Sequence, residues 1–157
     1  MTNAATTPYV REAIERLLGR FERGDYNPTP IIDLGTLVAN ADGVVDAQEI
    51  ETLQQILEPL LGAQLDGELV GYLVNASLSV IKSAGVEPRM RVVAEILMDC
   101  DAVEEGIIVA LAVAYASEGL SEAERALVTQ LAKLCEVPDD RIAALIARVG
   151  SEMERGK

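Results

Sequence analysis

The sequence predicts an all-α fold, a compact bundle of about eight helices in one globular domain. Apolar residues recur at the 3.6-residue period in segment after segment, and hydroxyl, acidic or proline residues stand at the starts of those segments. No stretch alternates apolar and polar residues as a half-buried strand does. Composition agrees: half of the 157 residues are apolar but only 3% are aromatic, so Leu, Ile, Val and Ala must fill the core. A chain of this length buries roughly 70% of the surface its unfolded form exposes and can fold without staples.

Thr7-Pro8 opens the first helix, because the hydroxyl can cap and the missing proline N–H costs nothing at the first helical position. Ile14, Leu17, Leu18 and Phe21 then share one face. Residues 21–30, FERGDYNPTP, read as a loop from their Gly, Asn and Pro content. Residues 1–28 are thus an N-terminal helix and loop, ahead of a main helical body at 29–157. Thr29-Pro30 restarts a helix to about Asn40. Asp46-Ala-Gln-Glu49 has the form of a capping box, followed by a helix to about Glu58 whose stripe is Ile50, Leu53, Ile56, Leu57 and Leu60, with Pro59 marking its frayed end or a kink. Asp66 opens a helix to about Ser83, and Pro88 opens one that turns Met90, Val93, Ile96 and Leu97 inward. Asp101 begins the most apolar helix, with GIIVALAVAYA at 106–116. Those roughly eleven residues fall short of the roughly 20 that cross a bilayer, so the segment reads as a buried central helix. Ser121-Glu-Ala-Glu124 is a second capping box, opening a helix to Cys135. Pro138 starts the last helix, with Ile142, Leu145, Ile146 and Val149 on one side.

Lys and Arg number 13 against 26 Asp and Glu, a net charge of −13 that repels phosphate backbones and anionic headgroups. Nucleic acid and direct membrane insertion are therefore not expected, whereas cations or basic protein surfaces are. The plainer reading is that the charge serves solubility. Cys100 and Cys135 form no CxxC pair and occupy apolar periodic positions, so both are expected in the core. The first residues lack the basic start, apolar stretch and cleavage site of a secretory leader, which predicts a cytoplasmic protein. The chain has no His, and no GxSxG, Walker or GxGxxG motif. A non-catalytic role follows, with an enzyme built on carboxylates as the remote alternative.

Asn40-Ala-Asp42-Gly43-Val-Val-Asp46-Ala-Gln-Glu49 gathers three carboxylates and an amide around a glycine, an oxygen-rich set suited to hard cations such as Ca²⁺ or Mg²⁺. In EF-hand register Gly43 and Glu49 take the sixth and twelfth places, but the first falls on Val38, which cannot ligate. A second stretch, 109–134, echoes 33–57: an apolar helix, an acidic residue before glycine, a capping box and an amphipathic helix. The offset is 76 between Gly43 and Gly119 and 75 between Asp46 and Ser121, so the second loop is one residue shorter. In that copy the EF-hand register puts Ala114 first and Arg125 last. Two pseudo-repeated helix-loop-helix units of this kind could bury their apolar faces together and bring the loops near each other. Capping alone accounts for Asp46, Glu49, Ser121 and Glu124, but not for Asp42 and Glu118. A further acidic set, Asp99, Asp101, Glu104 and Glu105, is expected to cap the central helix.

A-D-G-V-V-D-A-Q-E at 41–49 and S-E-G-L-S-E-A-E-R at 117–125, each within an apolar-helix context, resemble the TerB-like family of bacterial tellurite-resistance proteins. The resemblance runs from about Thr29 to Val149. It implies a compact helical fold with a two-fold-like arrangement and an acidic, metal-binding surface in a stress-response setting. Family acidic positions carry over to Asp42, Asp46, Glu49, Glu118 and Glu124. Glu118 stands where the family more often has Asp, and the shorter second loop offers Glu118 and Glu122 at less favourable angles, so the first loop is expected to dominate. Related domains occur beside chaperone and membrane-associated modules, which implies a protein partner, in stress or envelope-linked complexes. An adaptor domain with no metal site is the alternative.

Overall fold

The computed structural model describes residues 7–26, 29–42, 50, 51, 53, 54, 57, 67–116 and 119–155. Among these residues all regular structure is helical, in seven bounded elements against the eight or so expected. They are α1 (Pro8–Arg23), α2 (Thr29–Ala39), α3 (Gly67–Ala84), α4 (Val86–Asp99), α5 (Val103–Ala116), α6 (Glu122–Leu134) and α7 (Asp139–Arg155). Ile50, Glu51, Leu53, Gln54 and Leu57, between α2 and α3, are helical as well.

The organising element is α5. Between Gly106 and Ala116 it carries no charged residue, and Ile107, Val109, Ala110, Leu111, Ala112 and Ala114 are all buried. A helix apolar on every side must be enclosed, and α1, α2, α4, α6 and α7 all pack against it. The flanking helices are amphipathic and turn one stripe inward: Val10, Ile14, Leu17 and Phe21 from α1, Met90, Val93 and Leu97 from α4, and Ile142, Leu145, Ile146 and Val149 from α7. Gly106 lets α4 and α5 approach closely, since a Cβ there would stand 2.7 Å from both methyls of Leu97. On the outside, α3 rests against α2 and α4. No described helix is long and apolar enough to cross a membrane.

Three boundaries differ from the sequence reading. Residues 21–23 belong to α1 rather than to the loop, because Phe21 is a core residue and burial extends the helix. Helix α4 begins at Val86, two residues before Pro88, with Gly85 at φ 101° in front of it. Pro88 is tolerated because the first N–H groups of a helix have no intrahelical acceptor. Asp101 does not open α5. It lies at φ 54° and closes α4, with the Ala102 N–H bonded to the Leu97 carbonyl at 2.9 Å, and α5 starts at Val103. Asp25 after α1 and Glu136 after α6 repeat this arrangement at φ 62°, with Tyr26 N–H to Phe21 O at 2.8 Å and Val137 N–H to Ala132 O at 2.9 Å. These are Schellman endings in which an acidic residue takes the left-handed position usually given to glycine.

Candidate functional site

Helix α2 is sunk in the core along most of its length, and its end delivers Asn40 and Asp42 to the start of the first acidic loop. The Asn40 N–H bonds to the Thr36 carbonyl at 2.9 Å, and the residue is 7% exposed. Its Oδ1 is buried and accepts no hydrogen bond from any of the described residues. Buried polar atoms are almost always paired, so a lone acceptor here is an exception that calls for a donor or a cation. Asp42, two residues on, is exposed. Asp46, Glu49 and their capping box lie outside the described residues, as does Glu118 in the second loop. The proximity of the two loops is therefore untested by the described residues.

The second capping box is present. The Ser121 hydroxyl accepts from the Glu124 N–H at 3.1 Å, and Glu124 Oε1 accepts from the Ser121 N–H at 3.0 Å. Glu124 thus has one oxygen committed to the helix terminus, while Glu122 is exposed in the first turn. Gly119 sits at φ 93°, a conformation that favours glycine. Among the described residues no three carboxylates or thiols stand close enough to hold a metal ion.

The acidic set near α5 is divided among separate tasks. Glu104 accepts two hydrogen bonds from Arg141, at 2.8 and 2.6 Å, and these hold its carboxyl below the ordinary glutamate value. Asp99 accepts from the Tyr26 hydroxyl at 2.8 Å, which pushes the Tyr26 phenol up. Asp101 faces Arg20 at 3.3 Å, and Glu105 keeps one buried oxygen without a donor among the described residues. Only Glu104 and Glu105 stand in the first turn of α5, where a carboxylate favours the helix dipole. With both Glu104 oxygens on Arg141, the expected side-chain capping is not seen among the described residues.

Both cysteines are buried, as expected. Burial pushes the Cys135 thiol up to about 11 and raises that of Cys100 as well, which suits neither for nucleophilic work. Sequence reasoning missed Asp33. From α2 it accepts the Ser77 hydroxyl of α3 at 2.6 Å and the Arg89 guanidinium of α4 at 2.7 Å. The only local signal was a carboxylate within the apolar run PIIDLGTLV, since its partners lie 44 and 56 residues away. The trio pins three helices together. A separate open groove of about 550 Å³ lies between the end of α5, the start of α6 and the last turns of α7.

A family model described as "Tellurite resistance protein TerB" matches residues 29–147. No curated protein and no solved structure matches the chain.

Proposed function

The chain belongs to the family of tellurite resistance protein TerB, and we propose that it acts there as a non-catalytic interaction domain whose first acidic loop takes a hard divalent cation, Ca²⁺ or Mg²⁺. Membership associates it with tellurite resistance. The observation that supports the cation is the Asn40 Oδ1, which is buried two residues before Asp42 and has no hydrogen-bond partner among the described residues. An amide oxygen with no donor suits a hard cation, and Asp42, Asp46 and Glu49 would supply carboxylate oxygens at the spacing of a compact loop. Glu118, Glu122 and Glu124 would form the weaker second site, with one Glu124 oxygen already engaged by Ser121. Interaction with a basic protein surface, in stress or envelope-linked complexes, fits a net charge of −13.

The test is thermal melting in millimolar Ca²⁺ or Mg²⁺ against NaCl of matched ionic strength, because screening alone stabilises so charged a chain. Affinity on the order of 10⁻⁴ to 10⁻³ M is expected without a ligand at the first EF-hand place. Cation at tenfold its Kd would then add about 1.4 kcal/mol. Asp42→Asn and Asn40→Ala should each remove the excess over NaCl. Equal melting in divalent and monovalent salt would reject the cation and leave the adaptor reading.

A further inference from the structure

We propose that the groove between α5, α6 and α7 is a binding site for a zwitterionic aliphatic amino acid or short peptide. Its volume, about 550 Å³, lies within the range of small-molecule sites. One wall is made by Tyr115, and what brings it there is Gly150. A Cβ at position 150 would stand 2.9 Å from the Tyr115 hydroxyl, so α7 carries in its interior a residue that weakens helices and the phenol packs into the space. The hydroxyl has no hydrogen-bond partner among the described residues and is open to the groove, so it is free to bond to an occupant.

Two charges of opposite sign also line this groove, Arg125 from α6 and Glu154 from α7. Neither forms an ion pair with the other or with any described residue, whereas Arg141 and Arg148 nearby in sequence are paired to Glu104 and Glu152. Ile146 and Met153 add apolar lining to the same groove. A carboxylate would take the forked Arg125 donor and the Tyr115 hydroxyl, and an ammonium would face Glu154. The aliphatic body would cover Ile146 and Met153. Charge decides against a simple anion: a net charge of −13 repels phosphates and nucleotides but not a zwitterion, which carries no net charge. The site uses none of the first loop's residues, so it stands apart from the main cation reading, although Gly119 and Arg125 neighbour the carboxylates proposed for the weaker second site.

The experiment follows the amide resonances of Gly119 and Gly150 in the full chain during titration with L-leucine, L-leucyl-L-leucine, leucinamide and N-acetyl-leucine. Leucine or the dipeptide should give saturable shifts with a Kd on the order of 1 mM, given the few atoms and the open site. The tighter of the two names the natural source. Leucinamide, lacking the carboxylate, and N-acetyl-leucine, lacking the ammonium, should each bind at least about tenfold more weakly. Arg125→Gln, at an exposed position, should bring the free acid down to the level of leucinamide, and Tyr115→Phe should weaken it several-fold with unchanged melting. Absence of saturable shifts with both leucine and the dipeptide would overturn the proposal. So would equal binding of leucine and leucinamide, or an unchanged Kd in Arg125→Gln.

Discussion

Cys135 caps the end of α6 and lies against α4, its sulfur 3.9 Å from the Ala94 carbonyl oxygen. With its thiol pushed up to about 11 by burial, the reactive thiolate is only about one part in a thousand at pH 8. Native-state labelling of Cys135 by a thiol reagent should therefore run at least about a hundredfold slower than in urea. Equal rates in the two states would contradict its burial. This position was legible in the sequence because it continues the apolar period of α6 after Leu127, Val128 and Leu131. Asp33 was not legible, because a carboxylate's meaning depends on what lies across from it, and Ser77 and Arg89 reach it only through the packing of α2, α3 and α4. Asn40 stood in a recognisable motif, but the burial of its oxygen away from any donor among the described residues is a property of the folded α2 terminus. The groove tyrosine is a similar case, since nothing local links Tyr115 to Gly150.

At the scale of elements, starts and stops were legible where the chemistry is local. Ser121 and Glu124 cap each other across three residues, so the motif alone predicts the start of α6. The stops were harder, because Asp25, Asp101 and Glu136 adopt positive φ where the rule looks for glycine. Glu136 has the most to gain from substitution: a left-handed conformation costs an L-residue roughly 1 kcal/mol, and a carboxylate at a helix C-terminus opposes the macrodipole. Glu136 is exposed and makes no side-chain bond among the described residues, so Glu136→Gly should stabilise by about 0.5–1 kcal/mol in urea unfolding. A destabilised variant would contradict the assigned ending. Between elements, the Glu104–Arg141 pair ties α5 to α7. Because the folded Glu104 carboxyl titrates below its ordinary value of 4.5, the pair's contribution is complete above that pH and fades as pH falls through the lowered value. The melting temperature of Glu104→Gln should lie below that of the parent at pH 6, and the gap should close on acidification toward pH 3. A gap that is independent of pH would remove the pair from the account.

For the molecule as a whole, the question is whether α1 is an appendage or part of the domain. The family match begins at residue 29, after α1 has ended, and the sequence by itself invites a division there. Packing argues otherwise. Val10, Ile14, Leu17 and Phe21 are each at most 2% exposed and belong to the same core cluster as α5. Polar contacts reinforce the apolar ones: Tyr26 donates to Asp99, Arg20 pairs with Asp101, and Tyr9 lies under Arg148 with 4.5 Å from guanidinium carbon to ring centroid. At roughly 1.5–3 kcal/mol for each large apolar side chain, those four residues stabilise the fold by about 6–12 kcal/mol before the cost of ordering the helix is subtracted. That gross figure matches the whole net stability of an ordinary domain, about 5–15 kcal/mol. Removing residues 1–28 would also bare the α5 face that α1 covers, and α5 has no polar side from Gly106 to Ala114 to offer water. A chain beginning at Thr29 should therefore lose its cooperative urea transition, followed by far-UV circular dichroism, or show a midpoint lowered by well over half. Supplying residues 1–28 as a separate peptide should restore part of the transition, because the groove it fills is formed by helices that still pack on one another. If the truncated chain unfolds with the same midpoint and slope as the full one, α1 is an appendage, and the domain is the segment that the family match spans.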